Sequence, residues 1–180
     1  MRQLRSPATL PAYDEESGHL NAVVETIKGN RNKFTFDERL GIFVLSGILP
    51  AGATFPFDFG FVPSTLGGDG DPVDVLLLMD ESAFVGCLVP ARLIGVIMAR
   101  QTERDGNVEQ NDRLIAVAAK SRTHEQVRSL DDLSPVLLDE IEHFFISYNE
   151  TKGKKFEPMG RGGPEKAAAL VEEGRRRYGS

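Results

Sequence analysis

Apolar residues come in short bursts broken by glycine, proline and acidic residues over most of the chain, and take up helical spacing only near its end. Ala22-Val23-Val24-Glu25-Thr26-Ile27 predicts a strand stopped by Lys28-Gly29-Asn30. In Lys33-Phe34-Thr35-Phe36-Asp37 polar and aromatic residues alternate, the period of two expected of a half-buried strand. Gly41 to Ser46 and the Leu-rich run Val73 to Met79 predict two more strands, and Leu88 to Ala99 and Arg113 to Ala119 predict a pair around a polar excursion, Arg100 to Asp112. Helical signals follow. Ser134 can cap, Pro135 suits a first helical position, and Leu137, Ile141, Phe144, Phe145 and Tyr148 share a face. A second helix begins near Pro164, with Ala167, Leu170, Val171, Gly174 and Tyr178 at its spacing. Five to seven strands followed by two helices predict an α+β, mainly β fold, and the order excludes a doubly wound sheet.

The chain of 180 residues is expected to form one domain spanning 1–180, with the polar, Pro/Gly-punctuated first twenty residues as a surface arm. Its 27 acidic against 21 basic residues give a net charge of −6, which argues against nucleic acid and anionic membrane as partners. Cys87 is the single cysteine, so no internal disulfide can form and no cysteine-rich zinc site fits. The N-terminus leads into no apolar signal region, so a cytoplasmic protein is expected. Leu40 to Phe57 carries no charge, yet Gly41, Gly47, Pro50, Gly52 and Pro56 interrupt it, which favours a strand with turns over a membrane helix.

The charge deficit gains meaning at Gly67-Gly68-Asp69-Gly70-Asp71-Pro72-Val73-Asp74. Three aspartates enter an apolar strand through a turn, where converging carboxylates raise one another's pKa unless a cation neutralises them. Oxygen donors of this kind suit Mg²⁺, Mn²⁺ or Ca²⁺ rather than zinc. The plainer reading is a turn whose aspartates bond their own backbone. Asp74 weighs against it, because it sits within the apolar run, where an unpaired charge is costly. An EF-hand is excluded by Val73 and Asp74, no phosphate loop of the Walker type is present, and His19, His124 and His143 lack zinc-ligand spacing.

Phe55-Pro56-Phe57-Asp58-Phe59-Gly60-Phe61-Val62-Pro63, Thr65-Leu66 and the complete D-x-D-P-x-D pattern from Asp69 to Asp74 resemble the soluble, Mg²⁺-dependent, single-domain bacterial inorganic pyrophosphatases. The resemblance runs from about Val23 to Val171 and includes Leu114 to Val117, the helix His143 to Tyr148, and Lys152-Gly153-Lys154. It implies a small five-stranded OB-like closed barrel with packed C-terminal helices, hydrolysis of pyrophosphate by metal-activated water with Mg²⁺ (or Mn²⁺), and a homo-oligomer, a hexamer or smaller. On this resemblance Asp69, Asp74, Asp71, Glu25 and Asn111 fall on metal-site positions, and Asp71 on the residue that activates water. Lys33, Tyr148 and Arg113 fall on positions that hold phosphate. Read without the resemblance, Lys33 is a solvated strand lysine, and Tyr148 is as readily a core contact of its helix.

The chain departs from the family at several of these places. Phe55 and Phe59 replace tyrosines, Gly47 an arginine, Thr35 a glutamate, and Asn149 a lysine. Gln101-Thr102 and Asn111 replace acidic residues, Arg113 replaces a lysine, and the intervening loop is longer. Each lost charge-assisted contact weakens the hold on a polyanion by about 1.5–3 kcal/mol. Two alternatives therefore stand beside pyrophosphate hydrolysis: a catalytically inactive binding protein, and hydrolysis of another phosphorylated compound with Phe55 and Phe59 forming an apolar pocket.

Overall fold

The computed structural model describes residues 6–180, and the first five residues of the expected arm lie outside that range. The described part of the arm lies against the body. Ala8 and Ala12 are buried, and the Ser64 hydroxyl and amide donate to the carbonyls of Leu10 and Ala8, each at 2.8 Å.

Among the described residues nine strands and two α-helices follow. β1 (Leu20–Thr26) precedes a hairpin of β2 (Asn32–Asp37) and β3 (Ile42–Ile48). Then come β4 (Asp58–Phe61), β5 (Asp74–Leu78), the long β6 (Leu88–Thr102), β7 (Val108–Gln110) and β8 (Arg113–Ala118). Helix α1 (Pro135–Glu150), β9 (Lys155–Gly162) and helix α2 (Pro164–Tyr178) complete the chain. The order β1-β4-β5-β8-β6, with β6 pairing back to β1, closes five strands into a ring. The mainly β fold with two helices matches the sequence-based expectation, while β4, β7 and β9 are additional to it, and β9 separates the helices.

Most pairings are antiparallel, but β5 and β8 run parallel, with Val75 opposite Leu114 and Leu78 opposite Val117. Parallel strands are usually covered on both faces, and these two are. Val75, Leu77, Leu114 and Ala116 join one apolar core together with Ala167 and Val171 of α2. Leu76, Leu78, Ile115 and Val117 join the other, together with Leu138, Ile141 and Phe145 of α1. This double burial accounts for the unbroken apolar runs in the sequence.

Helix α1 starts at Pro135 as expected, but Ser134 makes no side-chain cap; its carbonyl accepts from the Leu138 amide at 3.2 Å instead. The buried stripe is Leu138, Ile141, Phe145 and Asn149, which leaves Leu137, Phe144 and Tyr148 half-buried at its edge. The hairpin β2–β3 exposes Leu40, Ile42, Leu45 and Ile48. Among the described residues, no helix is long and apolar enough to cross a membrane.

Two buried features fix the turn-rich first half. Asp58 accepts from the amides of Lys28 and Ala83, both at 2.8 Å, and so ties two loops to β4. Gly60 faces Val24 across β1, so closely that a Cβ there would lie 1.9 Å from the Val23 carbonyl oxygen. Gly60→Ala therefore has to push β1 and β4 apart. Overpacking costs about 1–3 kcal/mol, so calorimetry should show the unfolding midpoint falling by roughly 2–4 °C for each of them. An unchanged midpoint would contradict the close approach of the strands.

Candidate active site

The acidic turn lies between β4 and β5 and is held at several points. The Gly67 amide donates to the Asp71 carbonyl at 2.7 Å, and the Asp71 amide donates to Asp69 Oδ1 at 3.1 Å. Thr65 Oγ1 accepts from the Val73 amide and donates to the Val62 carbonyl at 2.6 Å. From outside, the Leu66 amide donates to the Gly174 carbonyl of α2 at 3.0 Å, and Gly174 sits so tightly that a Cβ would meet Val73 at 2.9 Å. Asp69 thus bonds its own backbone, as the plainer reading of the sequence expected, and also lines a cavity with Asp71 and Asp74.

That cavity has a volume of about 920 Å³ and gathers Glu25, Lys33, Asp69, Asp71, Asp74, Asn111, Arg113 and Tyr148. All eight residues singled out in the sequence therefore meet in one place. Glu25 is brought in by β1, where its Oε1 accepts from the Phe36 amide of β2 at 2.7 Å. The neighbouring Thr26 hydroxyl bonds the Phe34 amide at 3.0 Å. These two side chains anchor the hairpin to the ring and so place Lys33 of β2 at the cavity wall.

Burial, and then the carboxylates of Asp74 and Asp71, push Glu25 up to about 7, against the Phe36 bond that lowers it. Burial likewise raises Asp69 to about 6, with help from Asp74 and Asp71. Asp74 is raised by burial although Arg113 and Lys33 pull the other way. Carboxylates held this unfavourably call for a cation, and their oxygen donors suit Mg²⁺ or a similar hard ion. Among the described residues no three acidic, histidine or cysteine side chains stand close enough to enclose an ion alone. An ion here would complete its shell with water or substrate oxygens, as Mg²⁺ commonly does.

The far wall is built differently. Arg113 is buried, 4% exposed, with its guanidinium 5.0 Å from the ring centroid of Phe145, 5.5 Å from Phe156 and 6.0 Å from Phe59. Its Nη1 donates to Asp74 and to Asn111 Oδ1. Asn111 Nδ2 donates to Gln101 Oε1 at 3.1 Å, Gln101 Nε2 donates to Glu103 at 2.5 Å, and Glu103 pairs with Lys154 at 2.7 Å. A continuous polar chain thus leads from Asp74 to Lys154. Asn111 lines the cavity, but both ends of its amide are engaged in this chain, so ligating a metal would require it to release Arg113. In the lengthened loop Glu103 and Glu109 reach the cavity, whereas Asp105 bonds Asn107 and Asp112 bonds the Ala99 amide and Gln110.

Tyr148 is a packing contact of its helix whose hydroxyl also reaches the cavity. Its ring stacks on Phe144 at 5.7 Å and meets Phe55 edge-on at 5.6 Å, while its hydroxyl bonds Lys152 at the cavity. Phe55 and Phe59 offer no open apolar pocket: they are 2% and 5% exposed and belong to this aromatic packing. Lys152 and Lys154 also line the cavity. Reading the residues one by one does not find them, and the signal available was the Lys152-Gly153-Lys154 triplet just past the aromatic end of α1.

The sequence model of the family described as inorganic pyrophosphatase matches residues 22–179. The chain belongs to the inorganic pyrophosphatase family. It is 35% identical over 161 residues to an inorganic pyrophosphatase of Nostoc, covering 89% of this chain and 92% of that one. It is 36% identical to that of Geobacillus stearothermophilus, covering 91% and 96%. The crystal structure of the Thermus thermophilus inorganic pyrophosphatase superposes with a TM-score of 0.88 at 28% identity, over 98% of this chain and all of that one. The Helicobacter pylori enzyme gives 0.84 at 32% identity, over 93% and 98%. Phe55, Phe59, Asn111 and Arg113 form one packed set in this chain, with the guanidinium beside phenylalanine rings.

Glu25 provides a test of the buried acid cluster. The folded chain holds its proton up to about pH 7, whereas the unfolded chain releases it near the ordinary value of 4.5. The folded state therefore binds the extra proton between those values, and the stability of the metal-free protein should fall as pH rises from about 4.5 to about 7. Urea denaturation across that range should show the decline, and Glu25→Gln should make it shallower, leaving the part due to Asp69, which is raised to about 6.

Proposed function

We propose that this chain hydrolyses inorganic pyrophosphate to two phosphates, using Mg²⁺ or Mn²⁺. The observation that carries the reading is the convergence of Glu25, Asp69, Asp71 and Asp74 on one cavity that Lys33, Arg113 and Lys152 also line, in a member of the pyrophosphatase family. The alternative of another phosphorylated substrate loses ground, since the apolar pocket that an organic substituent would need is filled by packed phenylalanines.

Bound divalent ions would supply charge neutralisation for the polyanion and an acidified water. Asp69, Asp74 and Glu25 are the side chains proposed to hold them, with Asn111 at the margin. Asp71 is the exposed acid of the turn and is proposed to take the proton from the attacking water. The new bond is from water oxygen to phosphorus, the bridging P–O bond breaks, and its electrons remain on the departing phosphate. Lys33, Arg113 and the Tyr148 hydroxyl are proposed to bind phosphate oxygens and stabilise the developing charge. The exposed Ile42, Leu45 and Ile48 of the hairpin support the self-association implied by the family resemblance.

Phosphate release from pyrophosphate with Mg²⁺ or Mn²⁺ should be measurable for the wild type. It should drop by about 10²–10⁴-fold in Asp71→Asn, the range typical of a removed general base. Folded wild-type protein that releases no phosphate with either metal would refute the reading.

A further inference from the structure

Lys152 lies on the turn that follows α1, and its backbone is fixed there. Its amide and that of Lys154 both donate to the Asn149 carbonyl, at 2.9 and 3.0 Å, and its own carbonyl accepts from Arg104 Nε at 2.6 Å. Gly153 makes this turn possible with a φ of +70°, a conformation that side-chain-bearing residues rarely adopt. Arg104 comes from the lengthened loop between β6 and β7, so that loop braces the turn.

The side chain points to a definite place. The Lys152 ammonium lies 4.0 Å from the Tyr148 ring centroid and bonds its hydroxyl. Lys33, from the opposite side of the fold, comes within 5.7 Å of the same ring. Lys154 has Glu103 as counterion, but among the described residues neither Lys33 nor Lys152 has a carboxylate within 4.0 Å. Lys33 and Lys152 also border a second hollow of about 470 Å³, which opens beside Gly47. Burial, and then Lys33 and Lys154, push Lys152 down to about 7. Two half-buried ammonium groups meeting at one tyrosine ring repel each other, and a solvated surface lysine would simply turn outward. The arrangement becomes favourable when an anion lies between them.

We propose that Lys152, together with Lys33 and the Tyr148 hydroxyl, forms a phosphoryl-binding subsite in which Lys152 supplies the second cation for one phosphate group of the substrate. The identity of that substrate rests on the pyrophosphatase reading, but binding of orthophosphate to the subsite does not depend on turnover.

The test compares wild type, Lys152→Met, Lys152→Arg and the double variant Lys152→Met/Gly47→Arg. Gly47 faces Lys33 across the hairpin, and a Cβ there would meet nothing closer than Lys33 Cβ at 4.0 Å, so an arginine side chain has room to reach the same hollow. Calorimetric binding of orthophosphate without added metal should weaken roughly tenfold or more in Lys152→Met, the loss typical of a charge-assisted bond. Lys152→Arg should keep most of the affinity and the double variant should regain part of it. In turnover with Mg²⁺, Lys152→Met should raise KM for pyrophosphate more than it lowers kcat. Wild type that binds no orthophosphate, or Lys152→Met that binds it as tightly as wild type with an unchanged KM, overturns the subsite and leaves the pyrophosphatase reading standing. Orthophosphate binding that depends on Lys152 in a protein without pyrophosphate turnover supports the subsite and refutes that reading instead. Should Lys152→Met be destabilised, the retained charge in Lys152→Arg and the rescue by Gly47→Arg decide the matter: affinity kept by the first and restored by the second supports the subsite, and its absence from both overturns it.

Discussion

A largely buried guanidinium organises this molecule. Arg113 is enclosed by the rings of Phe59, Phe145 and Phe156, and its hydrogen bonds go to Asp74 and Asn111. Removing one partner of such a buried pair generally costs about 3–5 kcal/mol, because the other charge is left stranded. The pair also joins the two parallel strands at their entrances, since Asp74 opens β5 and Arg113 opens β8. From there the polar chain through Asn111, Gln101 and Glu103 to Lys154 connects the acidic turn to the segment after α1. The acidic and basic walls of the cavity are therefore parts of one bonded arrangement.

The chemistry of the cavity follows from unequal compensation. Asp74 has a permanent cation, whereas Glu25 and Asp69 do not and are pushed toward neutrality by burial and by their neighbours. On the other side Lys154 has a permanent anion, while Lys33 and Lys152 do not. A site with uncompensated charge of both signs suits a ligand that carries both cations and bare phosphate oxygens. The metal pyrophosphate proposed as substrate has that character.

Much of this could be read from the residues. The strands β5 and β8 declared themselves as apolar runs, because strands covered on both faces are apolar throughout, although their parallel pairing did not. The acidic turn declared itself because glycine, proline and aspartate leave the backbone few alternatives. β4 was hidden because it is four residues long within a Phe/Gly segment. β9 was hidden because Pro158, Gly160, Arg161 and Gly162 read as a loop, and it becomes a strand only because the long β6 offers it an edge. Asn111 was assigned from its position, and only the structure shows its amide bonded at both ends. Lys152 owes its location to a glycine turn and to an arginine from a distant loop, neither of which a local pattern encodes.

The parallel pairing of β5 and β8 also bears on the order in which the chain assembles. β4 and β5 are joined by the long loop from Val62 to Val73, but the three aspartates lie close together in sequence at its end and can gather from local contacts. Arg113 arrives only when β8 docks, and the ring closes only when β6 has reached back to β1 across more than sixty residues of chain. Non-local pairings of this kind slow folding, since loop closure must precede the contacts that reward it. Until β8 docks, Asp74 lacks its counterion, and the acid turn is a source of repulsion in the partly folded chain. Divalent cations and protonation both relieve repulsion of this kind, so the acid turn bears on the assembly of the chain as well as on the chemistry of the cavity.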